Sequence, residues 1–288
     1  MNVYDRKGLV VRLVYLAIAL VWWLITARGR LSKTRVITLC YHGVTAQQKN
    51  RFAKQMAHIS KRAISCDRIH LQDKAIAARP AVCITFDDAF ANLLDNALPI
   101  ICKLDIPVIV FAVTENMGST PRWKIDYDHP DAGELTMTLE QLKRASKETW
   151  CSIASHSATH PRLSELPDEA VERELIQSKI ALENLLGESV YDFAFPYGVC
   201  SEKLISKAFE CGYRRVYTLS PDAGKRSKDQ QIISRMTMTP DVWPIEFRLT
   251  VTGAYAWIYW LRKICMWIQE RPSETSKTSA FELQAPRT

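Results

Sequence analysis

Two adjacent carboxylates, Asp87 and Asp88, close the run AVCITFDD, so an apolar strand is driven straight into two charges. Charges at the end of a buried strand are costly unless something neutralises them. A metal ion held by one carboxylate would do so and leave the other as a base beside it. Read alone, the pair suits equally well a cap for a helix beginning near Phe90. In WCSIASHSATH, His156 and His160 stand four residues apart just after a second apolar run. Two imidazoles converging with one carboxylate would make a three-ligand site with an open position for water, the arrangement of a catalytic zinc. Taken singly, either histidine reads as an ordinary surface or core residue. A third piece, YDFAFPYG, is an apolar strand ending in the turn Pro196-Tyr197-Gly198. Its place after the aspartates and the histidines, at intervals that fit successive strands, is what gives it weight.

The elements that must position these residues follow from the hydrophobic pattern. Between residues 35 and 240, β-branched apolar runs alternate with amphipathic stretches, as in βα units around a parallel sheet. The strands expected are Val36–Tyr41, Val82–Phe86, Pro107–Val113, Trp150–Ser155, Tyr191–Phe195, Arg215–Leu219 and Ile232–Thr237. The helices expected are Arg51–Ala63, Leu93–Leu104, Leu139–Ser146 behind a Thr138/Gln141 capping box, Asp168–Leu186 behind Pro167, and Glu202–Cys211 ended by Gly212. About seven such units suggest a barrel, in which chemistry collects at the C-terminal ends of the strands. The polar groups there are Tyr41-His42-Gly43, Asp87-Asp88, Ser155-His156 and Pro196-Tyr197-Gly198.

TFDD, HSATH and FAFPYG, in that order, resemble the leading motifs of NodB-type polysaccharide deacetylases, carbohydrate esterase family 4, over roughly residues 35–240. The resemblance implies a deformed (β/α)7 barrel. It implies Asp87 as catalytic base, and Asp88, His156 and His160 as ligands of a divalent metal, zinc above nickel or cobalt. The Tyr197 backbone N–H, behind Pro196, would help hold the oxyanion. The sequence departs from the pattern at Ala89, where glycine is usual, and at Ala194, where an arginine is usual. No histidine follows His160, so the family's late general acid is missing. A circularly permuted subset, similar to biofilm poly-N-acetylglucosamine deacetylases, carries a Tyr-His pair on its first strand instead, and LCYHGV supplies Tyr41-His42 here. His42 is therefore assigned as general acid, and Arg235, in ISRMTM, as the partner of Asp87. The activity implied is removal of N-acetyl groups from amino sugars of a polysaccharide or lipid-linked glycan precursor. Two other readings stay open: a catalytically lapsed barrel acting as a glycan-binding or scaffold subunit, and an O-deacetylase or deformylase with the same machinery. Specificity would lie in loops such as 115–133.

The chain has 288 residues, 38 Lys+Arg against 31 Asp+Glu, a net charge of +7, and 47% hydrophobic residues, which excludes disorder over its length. No nucleic-acid-binding signature is present. The basic residues gather instead behind an apolar segment, Leu13 to Ala27, fifteen residues without a charge, bounded by Arg6, Lys7 and Arg12 before it and Arg28, Arg30, Lys33 and Arg35 after it. Ile25 at the −3 position is a poor cleavage site, so an uncleaved membrane anchor is expected. Fifteen residues cover only ~22 Å of a ~30 Å hydrocarbon core, which leaves spanning and monotopic forms open. Membrane lipid is the expected partner besides the glycan, at a bacterial inner membrane, and positive-inside counting leans to a cytoplasmic catalytic side. The organisation expected is 1–34 anchor and basic collar, 35–240 barrel, 241–270 an aromatic helix that is interfacial or closes the fold, and 271–288 a polar tail. The eight cysteines show no C-x-x-C, which excludes zinc-ribbon and redox motifs.

Overall fold

A computed structural model describes residues 8–26, 36–64, 81–125, 130–219, 224–225, 230–255 and 257. The basic collar at 27–35, the segment 258–268 and the tail 271–288 lie outside the described residues, as do Cys66 and Cys265.

Among the described residues nine strands form one sheet: β1 (Val36–Tyr41), β2 (Ala81–Phe86), β3 (Val108–Ala112), β4 (Cys151–Ser155), β5 (Asp192–Ala194), β6 (Arg215–Thr218), β7 (Gly224–Lys225), β8 (Gln231–Ser234) and β9 (Met236–Thr237). The first six pair in parallel and in chain order. β8 pairs in parallel with β6, while β9 pairs in parallel with β1. One stretch, 231–237, therefore touches both edges of the sheet and brings its eight parallel strands into a nearly closed barrel, with β8 and β9 together taking the place of the seventh strand expected. The expected strand Ile232–Thr237 is interrupted at Arg235 because the chain changes hydrogen-bonding partner there: Arg235 N donates to Thr218 O of β6, and Met238 N donates to Cys40 O of β1. The short β7 pairs antiparallel with the start of β8.

Side chains alternate across a strand, and the barrel sorts them accordingly. Ile37, Leu39 and Tyr41 face the helices, as do Val82, Ile84 and Phe86, in the large outer core. Cys83, Ile109, Phe111, Ala154, Ala194, Tyr217 and Ile233 fill the lumen. Below Tyr217, Arg215 grips Asp192 through Nε and Nη2 at 2.6 and 2.5 Å, and the Tyr217 hydroxyl donates to the same carboxylate at 2.8 Å. Strands buried on both faces explain the near-continuous apolar runs in the sequence.

Outside the barrel lie α1 (Leu9–Ile25), α2 (Lys49–Ile59), α3 (Leu93–Asn96), α4 (Leu98–Lys103), α5 (Leu139–Ala145), α6 (Asp168–Leu186), α7 (Glu202–Glu210) and α8 (Pro244–Thr250). The Thr138/Gln141 capping box opens α5, and left-handed Gly187 ends α6. The helix expected over Leu93–Leu104 divides at Ala97. Pro99 has no N–H to give to the carbonyl of Asp95, and that oxygen accepts from Lys49 Nζ at 2.7 Å instead.

Among the described residues no helix is long and apolar enough to cross a membrane. α1 packs on α8 and the turn after it: Ala19 is buried with Leu249, Ala254, Tyr255 and Trp257. Arg12 reaches Glu246 through Nε and Nη2 at 2.8 and 2.5 Å and lies 3.9 Å from the Trp243 ring. Of the aromatic segment, Tyr255 and Trp257 are buried there; Trp260 and Trp267 lie outside the described residues. Cys40, Cys102, Cys151 and Cys211 are free thiols.

The turn after β5 tolerates no side chain at Gly198, whose φ is +66°; a Cβ there would lie 2.4 Å from Leu219 Cγ. Left-handed strain and a core clash act together, so Gly198→Ala is expected to destabilise the fold by at least about 2 kcal/mol. A urea unfolding midpoint equal to that of the wild type would refute this.

Candidate active site

The alternation that fills the lumen also chooses the residues at its mouth. Continuing β1 past Tyr41 turns His42 inward, and continuing β2 past Phe86 turns Asp87 inward. β4 does the same for His156, and the 231–237 stretch for Arg235. Tyr41 goes the other way, into the outer core, where its hydroxyl donates to Gln55 Oε1 at 2.9 Å. Asp87, Asp88, His156, His160 and Arg235 are all buried, and His42 is half-buried.

Asp88, His156 and His160 each offer a ligand atom, and these atoms lie within 4.8 Å of one another. Asp88 Oδ1 is 3.7 Å from His156 Nε2 and 3.5 Å from His160 Nε2, a spacing suited to a shared cation. That oxygen is buried and has no hydrogen-bond partner among the described residues. His156 Nδ1 donates to Ala194 O at 2.8 Å, which directs the Nε2 lone pair into the group, as second-shell partners of metal-bound histidines do. Burial pushes the His156 pKa down to about 4. Burial and the neighbouring His156 push His160 to about 2, so both imidazoles are neutral and free to ligate. Burial, with the charges of Asp87 and Asp131, holds the Asp88 carboxyl well above the usual carboxylate range. Two neutral nitrogens and one carboxylate oxygen in a buried pocket fit zinc or a similar divalent ion.

Asp87 sits beside this group, its Oδ2 3.8 Å from His156 Nε2. Arg235 donates Nη1–H to Oδ1 at 2.6 Å and Nη2–H to Oδ2 at 2.9 Å, a two-pronged clamp. Burial alone would push the Asp87 pKa up. The Arg235 charge, then His156, the Arg235 hydrogen bonds and His42 override it and hold the group far below the usual range. Three supports of the clamp were not legible as site residues. Cys40 Sγ lies 3.2 Å from Asp87 Oδ2, Thr85 Oγ1 accepts from Arg235 Nη1 at 3.2 Å, and the Phe111 ring lies 5.2 Å from the guanidinium. Cys40 and Thr85 do share the inward parity of their strands, which was the available signal.

The loops bearing these groups are held in unusual shapes. Asp88 and Ala89 both have positive φ, 67° and 50°, which explains why glycine is easier at 89. The turn is braced by Met137 N, which donates to Ala89 O at 2.8 Å. Ser157 and His160 also have positive φ, 68° and 62°. Glu174 of α6 fastens that turn, accepting from Ala158 N and Thr159 N at 2.9 Å each and from the Thr159 hydroxyl at 2.6 Å. His160 is flanked by the rings of Trp123 at 4.4 Å and Tyr197 at 4.7 Å, and the Arg162 guanidinium lies 4.5 Å from the Tyr197 ring. Tyr197 itself has φ 59° within the Pro196–Gly198 turn. Gly43 donates its N–H to buried Asp131 at 3.1 Å, and a Cβ at Gly43 would collide with that carboxylate. Glu174, Trp123 and Asp131 carry no motif; only the three-dimensional arrangement brings them to the site.

A family model described as polysaccharide deacetylase matches residues 74–216. YxkH of Bacillus subtilis (strain 168), classed with the polysaccharide deacetylases, is 25% identical over 169 residues, 59% of this chain and 55% of that relative. The chain thus spans about half the length of that relative. The poly-beta-1,6-N-acetyl-D-glucosamine N-deacetylase of Staphylococcus epidermidis is 23% identical over 213 residues, 69% of each chain. Among solved structures, IcaB from Ammonifex degensii has a TM-score of 0.61 at 21% identity, covering 75% of this chain and 97% of that one. Streptococcus pyogenes PplD in complex with acetate has a TM-score of 0.60 at 20% identity, with the same coverage. These two likenesses speak for the barrel. The matched model, with the Asp/His/His site at the barrel mouth, puts this chain in the polysaccharide deacetylase family, of NodB type.

Proposed function

We propose that the chain is a metal-dependent hydrolase that removes N-acetyl groups from the amino sugars of a polysaccharide, with poly-N-acetylglucosamine the leading substrate. The observation that carries this reading is a base clamped by Arg235 directly beside a buried Asp/His/His group. The Staphylococcus epidermidis relative is named for that polymer, and the PplD structure holds acetate, the acid such a reaction releases.

A divalent metal ion held by Asp88, His156 and His160 would supply Lewis acidity to the acyl carbonyl and to the attacking water. Asp87, kept ionised by Arg235, takes a proton from that water as its oxygen bonds to the acyl carbon. The Tyr197 backbone N–H, in the Pro196–Gly198 turn, steadies the oxyanion that develops. His42 gives a proton to the amide nitrogen as the C–N bond breaks, leaving acetate and a free amine. His42 stands two residues after Cys40, whose Sγ lies 3.2 Å from Asp87 Oδ2, and so shares that inward parity at the end of β1. Attachment to a bacterial inner membrane with the catalytic side cytoplasmic belongs to the same reading, supported by the apolar helix α1 and the basic residues that flank it in sequence.

With zinc, nickel or cobalt supplied, the protein is expected to release acetate from a β-1,6-linked N-acetylglucosamine oligomer, read by mass spectrometry. Asp87→Asn should lower kcat about 10²–10⁴-fold, and so should His42→Ala, with metal content unchanged in both. No acetate from any N-acetylated glycan, with no metal bound, would favour the scaffold reading; release only from O-acetylated glycans would favour the esterase.

The Asp88 carboxylate should also weigh on the metal-free fold. Its pKa is raised on folding, so the folded state holds a proton that the unfolded state has released. Stability of the metal-free protein therefore falls as pH rises from the unfolded value through the raised one. At neutral pH under chelation, Asp88→Asn is expected to stabilise the fold by about 1–3 kcal/mol while lowering zinc content. Urea unfolding in excess chelator checks this, and a less stable Asn variant would contradict it.

A further inference from the structure

The side of α1 turned away from the barrel is apolar along its whole length. Val10 and Ile25 are 73% and 68% exposed, with Val14, Val21, Trp22 and Leu24 on the same side. The inward side carries Arg12, Tyr15, Ala19 and Trp23, set against α8 and the turn after it. An interfacial helix ordinarily has a polar face turned to water. Here the barrel stands where that polar face would be, and the single charge on the helix, Arg12, is neutralised by buried Glu246.

We propose that α1 lies in the plane of an anionic lipid surface, its outer side among the acyl chains and its inner side on the barrel, and does not cross the bilayer. This rests on the membrane attachment proposed above and specifies its form. Three observations carry it. First, α1 packs on its neighbours from Arg12 to Trp23, so an upright helix would drag Glu246 and the barrel wall into hydrocarbon. Second, its 17 residues reach ~26 Å at ~1.5 Å each, less than the ~30 Å hydrocarbon core. Third, apart from the Trp22 indole, suited to a membrane interface, its outer side offers no side-chain hydrogen-bonding group. Protein interfaces carry about one hydrogen bond per 100–200 Å², whereas acyl chains ask for none. In sequence the helix is preceded by Arg6 and Lys7 and followed by Arg28, Arg30, Lys33 and Arg35, a charge complement to acidic headgroups.

The contacts also give a direction. Arg12 meets Trp243 and Glu246 at the start of α8, while Ala19 shares a buried cluster with Leu249 and Ala254 further on, so the two helices run the same way. α8 begins just after β9 ends, at the mouth of the barrel. The mouth thus opens along the lipid surface and not away from it.

The test uses the full chain and vesicles of phosphatidylcholine with or without phosphatidylglycerol. The wild type should sediment with the anionic vesicles, and Val14→Glu and Val21→Glu should each lower the bound fraction at least about tenfold. Deacetylation of a short soluble oligomer should be unchanged in both, which shows that they fold. In Gly8→Cys and Thr26→Cys proteins bound to vesicles, a membrane-impermeant thiol reagent added outside should alkylate both positions, read site by site by mass spectrometry. Protection of one end alone would overturn the in-plane arrangement in favour of a spanning helix. A soluble wild-type dimer split by Val14→Glu would overturn it in favour of a second copy of the chain. A wild type that binds no vesicle yet deacetylates the oligomer would overturn membrane attachment and leave the enzymatic reading standing.

Discussion

The bidentate pair between Arg235 and Asp87 is the interaction on which the rest of the mouth depends. Two carboxylates side by side at the end of a buried strand repel each other and resist burial, and a single guanidinium inside the lumen decides which of them is ionised. Asp87 takes the charge and Asp88 is left without a hydrogen-bond partner among the described residues at Oδ1, the oxygen that faces both imidazoles. Base and ligand are the same residue type one position apart. Opposite environments divide the labour between them.

That division is a property of the barrel and not of any one segment. Asp87 comes from β2, His156 from β4 and the guanidinium from the stretch that joins β6 to β1. The strands' shared parity aims all of them inward, while the left-handed turns at Asp88-Ala89 and Ser157–His160 bend the remaining ligands toward the same point. Glu174 and the 136–137 segment hold those turns from outside, so backbone strain at the site is borne by helix α6 and a neighbouring loop.

Much of this was readable in advance because it is local. Alternation in VITLCYH and AVCITFDD marks the strands and tells which residues share a face, and the cap at Thr138 and the glycine at 212 mark helix ends. Pro99 should have divided the helix at Ala97, and apolar periodicity on both sides concealed it. Other features could not be read, since they depend on which distant segments become neighbours. Nothing in QIISRMTM says that β8 and β9 will pair with different strands, and nothing in the α6 sequence says that Glu174 will reach the histidine turn. The pairing of Arg12 with Glu246 joins residues 234 positions apart and fastens the N-terminal helix to α8.

The seam at Arg235 has a bearing on how the molecule comes into being. All three candidate ligands precede residue 161, whereas the guanidinium arrives only with the last stretch of strand. A chain emerging from the ribosome, or one clipped ahead of that stretch, holds all three candidate ligands in its sequence yet has nothing to charge its base. Completion of the sheet and arming of the site are a single event, so a half-built copy carries its ligands without the means to use them.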